Sequence, residues 1–133
     1  MKNTHNSGFT LVEIVVAVAI FSILLTMAIT SYASFNVQSR RVDASHLLLL
    51  NAHRLQRCFT LEGVYNGSCV TRNESESGYY TLSASSQFTT STFNLIAVPS
   101  AGSSQENDSG CTSFSYDHTG RKSATGSDAD SCW

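Results

Sequence analysis

Residues 9–29 read FTLVEIVVAVAIFSILLTMAI, and Glu13 is the only charged residue among them. A helix rises about 1.5 Å per residue, so about 20 apolar residues are enough to cross the hydrocarbon core of a bilayer. This stretch therefore predicts a membrane-crossing helix close to the start of the chain.

Three interpretations of this stretch remain open. It is either a conventional signal peptide with a site at Ser31-Tyr32-Ala33 and cleavage before Ser34, or a plain membrane anchor. In the third interpretation Ser7-Gly8-Phe9 is the processing site, and the apolar helix survives maturation. A conventional signal peptide fits poorly, because the apolar run exceeds the usual length of about 7–15 residues and the segment before it carries only Lys2 as a basic side chain.

Glu13 favours the third interpretation. A carboxylate in hydrocarbon costs about 2.5–3.5 kcal/mol on insertion scales, so it normally has a partner. Cleavage after Gly8 would give Phe9 a free α-amino group, one helical turn from Glu13. The amine of one subunit could then pair with Glu13 of a neighbour when such helices pack together.

The sequence GFTLVE at residues 8–13, followed by the apolar run, resembles the class III signal of type IV pilins and pseudopilins. The resemblance implies that residues 1–8 are a leader peptide. It also implies that a prepilin peptidase cuts between Gly8 and Phe9 and methylates the amine of Phe9, and that Glu13 serves assembly. Many pilins carry a proline in this helix, where this chain has Thr30.

The helical pattern continues beyond the membrane. Apolar residues recur three or four positions apart on one helix face, and no Pro or Gly interrupts residues 9–62 before Gly63. We predict one helix of about 50 residues. Residues 9–32 form its transmembrane and assembly half, and residues 33–62 form an amphipathic half laid on a domain. The apolar face comprises Ala44, Leu47, Leu48, Leu50, Ala52, Leu55 and Phe59.

Short β-prone runs separated by turn residues follow Gly63. Candidate strands are residues 79–83, residues 92–98 before Pro99, residues 112–116, and residues 121–124 after a turn at 117–120. They predict an α+β fold, in which residues 63–133 form a small antiparallel sheet of three or four strands packed on the helix.

Four cysteines, all beyond residue 57, indicate an oxidising compartment. They allow three pairings. The two local bridges, Cys58–Cys69 and Cys111–Cys132, match the predicted architecture best. Each would contribute about 2–4 kcal/mol to a domain with a small core.

The end of the sequence strengthens the resemblance. Cys111, the run FSYDHTGRK at residues 114–122, and Cys132-Trp133 are similar to the C-terminal signature of PilE-type minor pilins. The resemblance implies the type IV pilin fold, with residues 111–132 as its disulfide-bounded D-region. It leaves residues 66–90 without a counterpart.

A structural subunit of a bacterial type IV pilus, or fimbrium, is the function that the resemblance implies. As a PilE-like minor pilin it would support assembly, twitching motility, adhesion or DNA uptake in natural competence. Its partners would be other pilins, the prepilin peptidase and the inner-membrane assembly machinery. It would lie in the inner membrane with its domain in the periplasm, and then in the extracellular pilus. The alternatives are a major pilin, a DNA-receptor pilin, a type II secretion pseudopilin, and a soluble secreted protein.

Catalytic and metal-binding patterns are not evident. His46 and His53 are seven residues apart, whereas helical metal pairs favour a spacing of four. Asp128 and Asp130 lack the spacing of a calcium loop. We therefore expect no enzyme activity, no metal site and no cofactor.

DNA binding requires grouped Lys and Arg side chains. The 133 residues carry eight basic and ten acidic side chains, so the chain as a whole has no basic footprint. The best local candidates are Arg121 and Lys122 at the predicted hairpin. Further cations are Arg54, Arg57 and Arg72, and they are opposed by Glu74, Glu76, Glu106, Asp108, Asp128 and Asp130.

Overall fold

The computed structural model of the protein describes residues 9–133, apart from the side chains of residues 30 and 31. The predicted leader peptide and its Gly8 lie outside the described residues. Helix α1 runs from Leu11 to Glu62. The chain divides into two compact units, one ending at Phe35 and one comprising Asn36–Trp133.

The first unit is the apolar half of α1. Its length and composition are sufficient to cross a membrane, and none of its most apolar stretch is buried within the described part of the chain. Large apolar side chains are exposed on all its sides, among them Val12, Val16, Ile20 and Leu24. This surface requires either lipid or other apolar helices around it.

The second unit begins with the amphipathic half of α1. The predicted face is largely confirmed, because Ala44, Leu47, Leu48, Ala52 and Leu55 are almost completely buried. The last member of the face, Phe59, stays 38% exposed and stacks on Tyr65 at 4.5 Å between ring centroids. Gly63 ends the helix with φ +75°, and its N–H donates to the Phe59 carbonyl.

Five antiparallel strands form one sheet. The strands are β1 Tyr80–Leu82, β2 Gln87–Phe88, β3 Phe93–Pro99, β4 Ser113–Asp117 and β5 Lys122–Thr125. Their order is β1-β3-β4-β5, and β2 also pairs with β3. The predicted antiparallel sheet is confirmed, and β2 is an additional strand that the sequence pattern did not indicate. Two short 3-10 helices lie at Gly67–Cys69 and Ala129–Ser131.

Alternation along β3 sets the two faces of the sheet. Phe93, Leu95 and Ala97 are buried, whereas the residues between them are partly exposed. Tyr80 and Phe114 complete the core, with their rings edge to face at 5.4 Å. Full burial of such a side chain contributes about 1.5–3 kcal/mol.

The loop between β3 and β4 is fastened to α1 by buried polar contacts. The amide of Gln105, itself completely buried, donates to the Val37 carbonyl at 3.2 Å and to the Tyr80 hydroxyl at 3.0 Å. Burial raises the pKa of the Tyr80 hydroxyl. Asp108, in the same loop, accepts two hydrogen bonds from Arg41.

Two disulfides close the second unit. Cys58 near the end of α1 is joined to Cys69, and Cys111 before β4 is joined to Cys132. The second bridge encloses β4, β5 and the last 3-10 helix. Within it, Ser127 and Asp128 donate backbone hydrogen bonds to the carbonyls of Ser109 and Gly110, so the two ends of the bridged segment also pair through their main chains.

Candidate functional site

The N-terminus of α1 is capped by a side chain. The Thr10 hydroxyl accepts the Glu13 N–H at 3.3 Å, and the sequence Thr-x-x-Glu is the pattern of a capping box. The Glu13 carboxylate has no partner among residues 9–133. Phe9 is 81% exposed just before the helix. The cap therefore holds the helix end through Thr10, while the carboxylate of Glu13 remains available to another molecule.

The predicted cations Arg121 and Lys122 lie at the turn between β4 and β5. The Asp117 carboxylate fixes this turn by accepting hydrogen bonds from the Thr119 N–H, the Thr119 hydroxyl and the Arg121 N–H. These hydrogen bonds, that of the Thr119 hydroxyl first, and the nearby charge of Arg121 lower the pKa of the Asp117 carboxyl. The backbone that carries Arg121 is thus held in place.

The structure separates the two predicted cations. Lys122 lies over the indole ring of Trp133, with its ammonium 5.0 Å from the ring centroid. The indole N–H in turn donates to the Ser123 carbonyl at 2.8 Å. Arg121 is exposed, and its guanidinium has no ion-pair or hydrogen-bond partner among residues 9–133. Arg121 is therefore the freer of the two for an anionic ligand.

Three further arginines lie on or beside α1 in the same unit. The Arg72 carbonyl accepts a hydrogen bond from the side-chain amide of Asn51 at 2.8 Å, and the Cys58–Cys69 bridge holds the same loop about two turns further along α1. Arg54 lies between these two attachment points, and Arg57 precedes Cys58. All three guanidiniums are exposed, and no ion pair involves them within the described residues. We call Arg54, Arg57 and Arg72 the helix-side arginines.

The local sequence does not indicate that the loop of Arg72 lies beside the turns of α1 that carry Arg54 and Arg57. The disulfide is the signal that could have done so, because joining Cys58 to Cys69 brings the Arg72 loop beside the turns that carry Arg54 and Arg57. The other basic residues of the unit are engaged. Arg40 bonds Ser104 and lies over Tyr79, and Arg41 pairs with Asp108.

The remaining candidate residues do not assemble a chemical site in the described part of the chain. His46 and His53 are exposed on α1, and His118 contacts Phe93 with ring centroids 6.4 Å apart. Cys58, Glu62 and Cys69 are close enough to hold an ion, but the two sulfurs are bonded to each other. They are therefore not available as thiolate ligands.

A long helix packed on an antiparallel sheet with a bridged C-terminal segment defines a pilin, and the comparisons with known proteins agree. The family model described as "Type IV minor pilin ComP, DNA uptake sequence receptor" matches residues 30–115. A model of the prokaryotic N-terminal methylation motif matches residues 3–29. The first match covers well over half of the chain, so the chain belongs to this family of minor pilins. It is a structural subunit of a type IV pilus.

Solved structures with a similar fold are also pilins. The non-core minor pilin PilV of Neisseria meningitidis matches with a TM-score of 0.51 and 23% identity, over 67% of this chain and 89% of that one. A type IV pilin of Shewanella oneidensis matches with a TM-score of 0.46 and 30% identity, over 65% and 89%. The likeness to PilV supports the fold. No curated protein matches the chain.

Proposed function

We propose that this minor pilin is a DNA-binding subunit that serves DNA uptake, with Arg121 and the helix-side arginines as its phosphate contacts. The observation that carries the proposal is the match of residues 30–115 to a family of DNA uptake sequence receptors, on a domain with four unpaired guanidiniums among its described residues. Of the predicted alternatives, a DNA-receptor pilin accounts for both the family match and the exposed guanidiniums.

Incorporation into the filament rests on the N-terminal helix. Prepilin peptidase removes residues 1–8 by cutting between Gly8 and Phe9, and Phe9 is then N-methylated. Before assembly the subunit remains in the inner membrane, with residues 36–133 in the periplasm. The assembly machinery then extracts it into the extracellular pilus. Glu13 pairs there with the terminal amine of a neighbouring subunit, and this contact sets the axial position of the helix.

The DNA contacts follow from the exposed cations. Arg is suited to phosphate because its planar guanidinium donates two parallel hydrogen bonds. Each neutralised phosphate releases counterions and adds about −0.9 to the slope of log affinity against log salt concentration. Contacts by Arg54, Arg57, Arg72 and Arg121 together give a slope of roughly −3 to −4.

Fluorescence anisotropy tests this proposal. The full chain in detergent is titrated into a labelled duplex of random sequence, between about 50 and 200 mM salt. We expect Arg121→Ala to weaken binding and to reduce the salt slope by about 1, and the triple alanine variant of the helix-side arginines to reduce it by about 3. Arg40→Ala is the matched control, because its guanidinium is already committed to Ser104 and Tyr79. Binding with the wild-type slope in both test variants would contradict the proposal.

Mass spectrometry of sheared, purified filaments tests processing separately. A methylated peptide that begins at Phe9, at low abundance relative to the major subunit, is expected. A mature chain that begins at Ser34 and is absent from filaments would contradict the assembly proposal.

A further inference from the structure

A row of polar side chains crosses the outer face of the sheet beside Arg121. Gln87 on β2 is directly paired with Asn94 on β3, and Asn94 is directly paired with Asp117 on β4. Directly paired residues present their side chains on the same face. Since Phe93 and Leu95 are buried, Asn94 and its partners lie on the opposite, outer face.

These side chains line a shallow groove of about 410 Å³ at one end of the sheet. Hydroxyl groups of Thr89, Thr92 and Ser115 complete much of its wall, and Arg121 stands at its rim. The amides of Gln87 and Asn94 make no hydrogen bond with any described residue. Each amide therefore presents a free donor and a free acceptor to a ligand.

The hairpin that carries the two amides is stiffly built. Its loop is closed by the Thr89 hydroxyl, which accepts the Thr92 N–H at 2.9 Å and the Ser91 N–H at 3.3 Å. The two hydroxyls of Thr89 and Thr92 also bond each other at 2.7 Å. Gln87 and Asn94 are thus held in a fixed register on adjacent strands of the sheet, and β4 flanks Asn94 on the other side.

The chemistry of the row fits base edges better than phosphate. An amide side chain can bond the N6 and N7 atoms of adenine with one donor and one acceptor. The Asp117 carboxylate beside it repels phosphate, and it is suited to the exposed amino group of cytosine. Arg121 is the one group in this row that would attract the DNA backbone.

The spacing of the strands agrees with amides that contact bases and an arginine that contacts the DNA backbone. The major groove is about 12 Å wide, and its base edges are accessible to side chains that enter it. Gln87 and Asn94 are on adjacent strands, about 4.8 Å apart, whereas Arg121 at the β4–β5 turn lies two strand spacings, about 10 Å, from Asn94. With the side chains of Gln87 and Asn94 directed into the groove, Arg121 would lie near the bordering phosphates.

We propose that Gln87 and Asn94 read base edges in the major groove, each preferring adenine, while Arg121 holds the adjacent backbone. This inference rests on the proposed DNA-binding function and assigns its sequence preference to two uncharged side chains.

Binding-site selection tests the inference. The full chain in detergent selects from a randomised duplex library, and Asn94→Ala and Gln87→Ala are compared with wild type. We expect each variant to lose the preference for adenine at one position, by about 5- to 150-fold. Affinity for random duplex should change less than twofold. Asn107→Ala is the matched control, because its amide is exposed in the β3–β4 loop away from the groove.

Several results would overturn the inference. An unchanged selected sequence in both variants, with normal binding, would overturn the inference alone and leave the proposed function intact. An equal loss of affinity for every duplex would show that the amides merely position the protein. No binding of any duplex by the wild-type chain would overturn both. Capture of a neutral oligosaccharide instead, by wild type but not by Asn94→Ala, would assign the groove to sugars. Circular dichroism would exclude unfolding as the cause.

Discussion

Arg41 on α1 and Asp108 in the β3–β4 loop, 67 residues apart in sequence, are joined by two parallel hydrogen bonds of 2.8 and 2.9 Å. Their side chains are only 12% and 6% exposed. The pair raises the pKa of Arg41, and it lowers the pKa of Asp108 below its ordinary value of 3.8. Because the pair is nearly buried, removing one partner leaves an uncompensated charge and costs more than breaking a surface ion pair does.

This pair makes stability depend on pH. The folded-state pKa of Asp108 is depressed, so its stabilisation is complete above the unfolded-state pKa and disappears as the pH falls through the folded value. We expect Asp108→Asn to lower the free energy of unfolding by about 3 kcal/mol at pH 7 and by much less at a pH below the folded-state pKa of Asp108. Denaturant unfolding of the full chain in detergent measures both. Asp130→Asn, an exposed control, should change little. An Asp108→Asn deficit that is equally large at both pH values would refute the assignment.

Gly126 allows two backbone segments to meet inside the bridged C-terminal region. A Cβ atom there would lie 2.1 Å from the Gly110 carbonyl oxygen, and φ is +138°. We expect Gly126→Ala to destabilise the domain by about 3 kcal/mol or more, since backbone must move on both sides. Gly102→Ala is the control with a positive φ but open space, and it should cost only about 1 kcal/mol. Thermal unfolding and trapping of free Cys111 and Cys132 thiols would report both effects. Equal losses in the two variants would show that strain alone matters.

Lys122 should contribute to the stability of the folded domain, whereas Arg121 should not. Lys122 lies over Trp133, so Lys122→Ala should lower the free energy of unfolding by about 0.5–1 kcal/mol. Arg121→Ala should leave it within about 0.5 kcal/mol of wild type, because the guanidinium is exposed, makes no hydrogen bond with a described residue, and attracts Asp117 only through solvent-screened charge. Urea unfolding compares the two. A larger loss of stability in Arg121→Ala than in Lys122→Ala would contradict this prediction.

Glu13 should matter to assembly and not to folding. We expect Glu13→Ala to yield a folded, processed chain that remains in the membrane fraction. The variant should be depleted from sheared filaments by tenfold or more, which corresponds to a loss on the order of 1.4 kcal/mol in the free energy of incorporation. Quantitative immunoblots of both fractions, with the mature mass checked, measure this. Glu62→Ala, which removes an exposed acid from the other end of α1, is the control. Wild-type incorporation of Glu13→Ala would sink the assembly role.

Much of the fold could be predicted because its signals are local. The uninterrupted apolar run, the helical spacing of Ala44, Leu48 and Leu55, and Gly63 at the helix end each act within a few residues. Strand β2 was missed because Gln87–Phe88 is too short to show an alternating pattern. Its pairing with β3 is a property of the sheet and not of its own sequence.

The candidate site was less predictable because it depends on cross-strand register. Arg121 could be named from its turn, but the engagement of Lys122 with Trp133 requires the packed C-terminal segment. The neighbours of Asn94 are fixed only when β2, β3 and β4 align. Likewise, nothing near Arg41 in sequence points to Asp108.

The alternation along β3 has a consequence for how such a subunit can diversify. The register that buries Phe93, Leu95 and Ala97 also places Asn94 on the outer face. One strand alignment therefore determines both which side chains pack in the core and which are presented to a ligand. Outward positions can exchange their side chains without disturbing the inward ones. A lineage could therefore revise what the sheet recognises by point substitution while it inherits the same scaffold unchanged.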